Sequence, residues 1–158
     1  MDRPIAHGRA PARERGYDGP VISAWFSAFV FTQAFEVPIY LVALRRRTDA
    51  RGEPLPPESL RWRLGFGFLA SMATHPYVWF VIPTLFSSRV WLAAVEAWPG
   101  LLAWRHELFF VTAESFAVLA EGLLLRALRV PRPLLWALVA NATSAGLGML
   151  TRALTGWP

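Results

Sequence analysis

The chain has 158 residues, 54% of them hydrophobic, and sixteen basic against eleven acidic side chains give a formal charge of +5. Every basic residue is an arginine and most flank long apolar runs, a placement that suits membrane topology and argues against a nucleic-acid groove, whose cations track phosphates. Cysteine is absent, which excludes disulfides, zinc–thiolate sites, iron–sulfur clusters and cysteine nucleophiles.

Residues 1–20 (MDRPIAHGRAPARERGYDGP) are polar, rich in Pro, Gly and Arg, and read as a flexible tail. The apolar run that follows, 21–44, is longer than the roughly 7–15 residues of a signal h-region and ends in Arg45-Arg46-Arg47. It predicts a retained first helix with a stop-transfer triplet. The next joint contains Pro56-Pro57, which no helix accommodates, and Ser59 stands where a second helix needs its N-cap.

That second helix is predicted over 60–85. Its segment 64–85 passes 22 residues without a formal charge, enough to meet the roughly 20 residues a helix needs to cross hydrocarbon. Residues 90–104 are apolar but too short to cross, with Glu96 inside and Pro99-Gly100 breaking them. Trp91, Trp98 and Trp104 recur at about one helical face, so an amphipathic element lying in the membrane interface is expected, with a fifth crossing as the alternative. A third helix is predicted over 104–128, a forced turn at Arg129-Val130-Pro131-Arg132-Pro133, and a fourth helix over 134–154.

The pattern predicts an all-α integral membrane protein in which residues 21–158 form one domain. That domain is an up-and-down bundle of four transmembrane helices, five if 90–104 also spans, with the interfacial amphipathic element between helices two and three. Nine of the sixteen arginines lie in the two joints at one end (Arg45, Arg46, Arg47, Arg51, Arg61, Arg63, Arg126, Arg129, Arg132) and seven lie on the opposite side. The triplet abuts its helix, so the joints are expected in the cytoplasm and both termini outside. Lysine is absent and only four isoleucines occur, which reads as a GC-rich bacterial genome and places the chain in an inner membrane.

Polar residues inside apolar helices carry the functional expectation, because an ionisable group at mid-bilayer costs roughly 3 kcal/mol or more. Glu107, Glu114 and Glu121 are spaced by seven, two turns less about 20°, and so form one stripe on the third helix, stepped by roughly 10.5 Å. The first helix brings Gln33 and Glu36, with Tyr40 one turn on; the second brings Thr74-His75-Pro76; the fourth brings Asn141, Thr143 and Ser144. At 1.5 Å per residue, His75 and Glu114 reach a layer roughly 16–18 Å in from the arginine-rich ends, and Glu36, Glu121 and Asn141 a layer roughly 8–12 Å in. Glu107 belongs at the far interface beside His106.

The expected polar centre is therefore Glu36, His75, Glu114, Glu121 and Asn141, with Glu107, Gln33 and Ser144 secondary. Two carboxyls facing each other in low dielectric do not both ionise, so one holds a proton or the pair binds a cation. The competing reading is interhelical hydrogen-bond glue, worth about 1 kcal/mol per bond. Spacings Gly67/Ser71/His75 and Ala140/Ser144/Gly148 read as packing faces. No GxSxG, HExxH, Walker A or GxGxxG sequence is present. Three functions follow: translocation of protons, a cation or a small polar solute; an accessory subunit of a larger membrane complex; or an intramembrane enzyme using Glu114 and His75 as acid and base on a lipid-like substrate. Expected partners are the bilayer and a second copy or another membrane protein, and not nucleic acid.

Overall fold

The first apolar run forms helix α1 (Asp18–Ala43), extended through a 3-10 turn at Leu44–Arg46, in a computed structural model that describes residues 18–157. The helix starts at Asp18, three residues before the expected boundary; the rest of the expected tail, through residue 17, lies outside the described residues. Pro20 falls in the first turn, where a missing N–H has no intrahelical partner to lose. Pro38 sits inside α1 and leaves the Ala34 carbonyl without its usual donor.

The joint after α1 is ordered. Thr48 pairs with Pro54 in an isolated antiparallel bridge, and Asp49 Oδ1 accepts from the backbone N–H groups of Arg51 (2.8 Å) and Glu53 (2.9 Å). Arg47 holds this joint to the bundle: its Nε donates to the Leu128 carbonyl (2.8 Å), an Nη donates to Glu58 (2.6 Å), and its guanidinium lies over the Trp62 ring.

Helix α2 (Leu60–Pro76) is capped by Ser59 Oγ, which accepts from Trp62 N at 3.2 Å, as the cap signal predicts. The helical path expected to run straight to Leu85 is interrupted. Pro76 removes a donor and crowds the preceding turn, and the chain passes through a π-helical segment, Tyr77–Val81, before resuming as α3 (Ile82–Leu85). Helix α4 (Arg89–Ala97) is capped by Ser88, whose Oγ accepts from Trp91 N. A 3-10 stretch, Pro99–Trp104, leads into α5 (Arg105–Ala127), and α6 (Pro133–Thr155) closes the fold. The turn between α5 and α6 is tight enough to place Arg129 and Arg132 at positive φ (61° and 52°).

Among the described residues three stretches, Val21–Arg46, Pro99–Ala127 and Pro133–Thr155, are long and apolar enough to cross a membrane. Leu60–Leu85 reaches the same measure only together with Arg89–Ala97, from which it bends by 51°, and makes a fourth if that bent pair is one span. The dilution has a visible cause in Arg61, Arg63, His75 and two prolines along that path.

The long helices close into a ring: α1 packs on α2 and α6, and α5 packs on α6 and α2. Gly67 stands at the α1–α2 contact, where an added Cβ would lie 3.4 Å from that of Tyr40. Burial is inverted relative to a water-soluble bundle. Glu36, Ser71, Thr74, Glu121, Asn141 and Ser144 are buried, whereas Val30, Leu69, Val111, Leu123 and Leu138 face outward. An apolar belt around a polar and small-residue interior suits helices solvated by lipid, where nothing is gained by hiding leucine. An apolar cluster of Tyr40, Leu44, Leu125 and Val130 with interhelical alanines fills the end of the ring nearest the basic joints. Ile82, Phe86 and Ala113 form a smaller cluster toward the other end, flanked by Trp91.

Candidate functional site, a polar centre inside the helical ring

Glu121 is the hub of the interior. It is 1% exposed, and its carboxylate is held from each of the other three long helices. Tyr40 Oη of α1 donates to Oε2, Asn141 Nδ2 of α6 donates to the same oxygen at 2.6 Å, and Thr74 Oγ1 of α2 lies 2.7 Å from Oε1. Thr74 Oγ1 is also 3.0 Å from the Ser71 carbonyl, so its single proton serves one acceptor at a time. Both Glu121 carboxylate oxygens thus have a partner within the chain, with that of Oε1 shared with the Ser71 carbonyl.

Glu36 is equally buried but half answered. Its Oε1 accepts from Ser144 Oγ at 2.6 Å, while Oε2 has no hydrogen-bond partner. His75 Nε2 on α2 shares that condition, and Ser71 Oγ, which makes no well-aligned hydrogen bond, lies beside the Glu36 carboxyl. All three residues line one cavity of about 270 Å³. Its inner end is formed by Glu121 and Asn141, against the apolar cluster that closes the basic-joint end, and its other end reaches the exposed Arg152 near the end of α6.

Aromatic rings complete the walls. The His75 imidazole lies 5.2 Å from the Phe29 ring and 6.1 Å from both Trp25 and Trp79, centroid to centroid. Trp79, which lines the cavity, belongs to the π-helical segment; the wider turn that Pro76 provokes presents it one turn after His75. Such π insertions recur at functional sites.

No protein-family model matches this chain, and no curated protein or solved structure is significantly similar to it.

The residues singled out in the sequence divide into three groups. Glu36, His75, Glu114, Glu121, Asn141 and Ser144 all line the cavity. Glu107 is exposed with His106 in the first turn of α5, away from it. Gln33 is half-buried and does not line it, although both atoms of its amide lack a partner. The expected layers are only partly realised as contacts. Asn141 bonds Glu121 directly, but His75 and Glu114 form no hydrogen bond with each other, and the imidazole is packed in rings instead. Neither Arg126 nor Arg129 reaches Glu121, whose donors are all uncharged.

Four contributors lay outside the expected set: Tyr40, Thr74, Ser71 and Arg152. Tyr40 carries a usable signal, one helical turn after Glu36. Ser71 sat in a small-residue stripe and Arg152 among the topology arginines, yet Ser144, Gly148 and Arg152 continue one four-residue stripe on α6. Among the described residues no group of three or more His, Asp or Glu side chains is placed to hold a metal ion. The arrangement suits a ligand that offers hydrogen-bond donors or positive charge to Glu36 and shape to aromatic walls.

Proposed function

We propose that this chain is a small polytopic protein of a bacterial inner membrane that binds and translocates a proton or a small cationic solute through the cavity between its helices. In this reading four helical runs cross in up-and-down order, the Arg89–Trp104 stretch lies in the interface, and both termini are outside. The observation that carries it is the buried Glu36 carboxyl, with Ser71 beside it and no well-aligned donor to Oε2, and the unpartnered His75 Nε2, on one cavity that also holds Glu114 and Glu121. Groups engaged only in holding helices together are expected to be satisfied, because an unmet buried polar atom costs about 1–3 kcal/mol. Carboxyls gathered in a low-dielectric cavity require neutralisation, by protons or by a bound cation. The apolar cluster at the basic-joint end makes access one-sided, so passage requires either a rearrangement there or a path shared with a second copy.

One observation favours a second reading. Glu121 is fully satisfied and ties four helices, as expected of an assembly or accessory subunit in which polar groups specify packing.

The two separate at Glu36→Gln. Purified protein reconstituted into proteoliposomes with an entrapped pH dye and an imposed potential is expected to pass protons, or a radiolabelled small ammonium ion. Glu36→Gln is expected to fold like the parent and lose at least about tenfold of that flux, the scale of one charge-assisted contact. Parent-level flux in the variant, or no flux above empty vesicles in the parent, favours the accessory reading.

A further inference from the structure

The polar cavity has a neighbour. A second concavity of about 410 Å³ lies between α5 and α6 on the outer side of the ring, walled largely by Val118, Leu138, Ala142, Gly146 and Met149. Five residues, Phe110, Glu114, Asn141, Ala145 and Met149, line both spaces. The α5–α6 seam is tight near the turn, where a Cβ on Gly122 would fall 2.5 Å from a Leu134 methyl. At the groove nothing of the chain fills it: a Cβ on Gly146 would meet no atom within 4 Å. Glu114 stands where the two spaces adjoin, half-buried, and its carboxyl makes no hydrogen bond among the described residues.

We propose that the ligand is a membrane-borne amphiphile, a long-chain amine or ammonium compound, whose cationic head passes Glu114 into the polar cavity while its hydrocarbon chain lies in the α5–α6 groove. This rests on the cation-binding reading above and gives it a substrate class. Continuity selects this occupant. A helix from a second copy fills an outer groove without needing a polar interior beyond it, whereas a head-and-tail molecule needs both spaces joined by a carboxyl. The aromatic rings around His75 and the face of Trp79 suit a desolvated ammonium group. Entry from the lipid leaves the apolar plug at the basic-joint end undisturbed while the ligand loads.

The test uses the full chain in zwitterionic-lipid nanodiscs, with decylamine carrying a terminal diazirine as the probe. Crosslinks are expected at Ser115, Ala142 or Gly146. Decylamine is expected to compete at least tenfold better than ethylamine, and decanol is expected to compete poorly. Glu114→Gln is expected to weaken labelling at least tenfold. Gly146→Phe, which fills the groove from α6, and Ser115→Phe, which does so from α5, are each expected to abolish labelling but leave Glu36-dependent flux of methylammonium intact. Equal competition by ethylamine and decylamine with flux retained overturns the groove while sparing the cation site. Equal competition by decanol overturns the cationic head. Labelling that survives both fillers, or a shift from oligomer to monomer in either, overturns the groove as a ligand site. Loss of methylammonium flux in the parent itself marks failure of the underlying reading instead.

Discussion

Tyr40 and Glu121 lie 81 residues apart in sequence and meet in the centre of the ring, where the phenol donates to a carboxylate oxygen that Asn141 also occupies. The contact joins α1 to α5, two helices on opposite sides of the ring, which otherwise touch mainly α2 and α6. Truncation at either partner therefore acts on the whole bundle. Tyr40→Phe removes one donor and leaves Asn141 and Thr74 in place, so a loss of about 1–2 kcal/mol is expected. Glu121→Leu strands the Tyr40 hydroxyl and one Asn141 N–H, while Thr74 keeps the Ser71 carbonyl, and it is expected to cost more than Tyr40→Phe. Glu121→Gln retains an oxygen for Tyr40 and Asn141 and turns an N–H₂ toward Thr74, whose hydroxyl accepts it, so near-parental stability is expected. Thermal unfolding in a mild detergent ranks the three. A Glu121→Gln protein as unstable as Glu121→Leu contradicts the hydrogen-bond account.

His75 and Glu114 share the cavity without bonding each other. Non-additive effects would follow from a shared acid–base pair; the lack of a hydrogen bond between them leads to the opposite expectation. The stability losses of His75→Gln and Glu114→Gln are expected to add within about 0.5 kcal/mol in the double variant. A coupling above about 1 kcal/mol, read from a double-mutant cycle on unfolding midpoints, would place the two in contact and revive an acid–base role.

The arginine triplet divides by contact. Arg47 spans the Leu128 carbonyl, Glu58 and the face of Trp62, whereas the Arg45 side chain is exposed. Lysine keeps the charge that topology requires but loses the planar fork. Arg47→Lys is expected to lower stability by about 1–2 kcal/mol and Arg45→Lys by less than about 0.5 kcal/mol, with insertion unchanged in both. Equal effects at the two positions would reduce the triplet to its charge alone.

Since no native cysteine competes, single cysteines report topology cleanly. Cysteines at Glu53 and Arg132 are expected to label with an impermeant maleimide from one side of the membrane, and those at Gly8 and Gly156 from the other. Labelling of Gly156 from the side of Glu53 requires an odd number of crossings: five if residues 90–104 span, with Arg132 then opposite Glu53, or three if Leu60–Leu85 does not cross.

What the sequence by itself determined is the set of helices and their solvent. Long uncharged runs, proline-rich joints and serine caps act locally, and each makes its helix or break whatever the rest of the chain does: Ser59 caps α2, and Arg129–Pro133 turns α5 into α6. Depth along each helix was also legible, because a fixed rise per residue converts position into height, and Glu121 and Asn141 do meet at one level. Rotation about each helix was not. Which side of α2 faces α5 depends on how four cylinders settle against each other, through such close approaches as Gly67 on Tyr40 and Gly122 on Leu134. That rotation decided that Thr74 serves Glu121 while His75, the next residue, turns into aromatic rings. It also decided that Glu121 is satisfied whereas Glu36 keeps an oxygen free. Tertiary packing, being a sum of contacts between distant segments, separated the carboxyl whose two oxygens both have partners from the one with an oxygen left unpartnered.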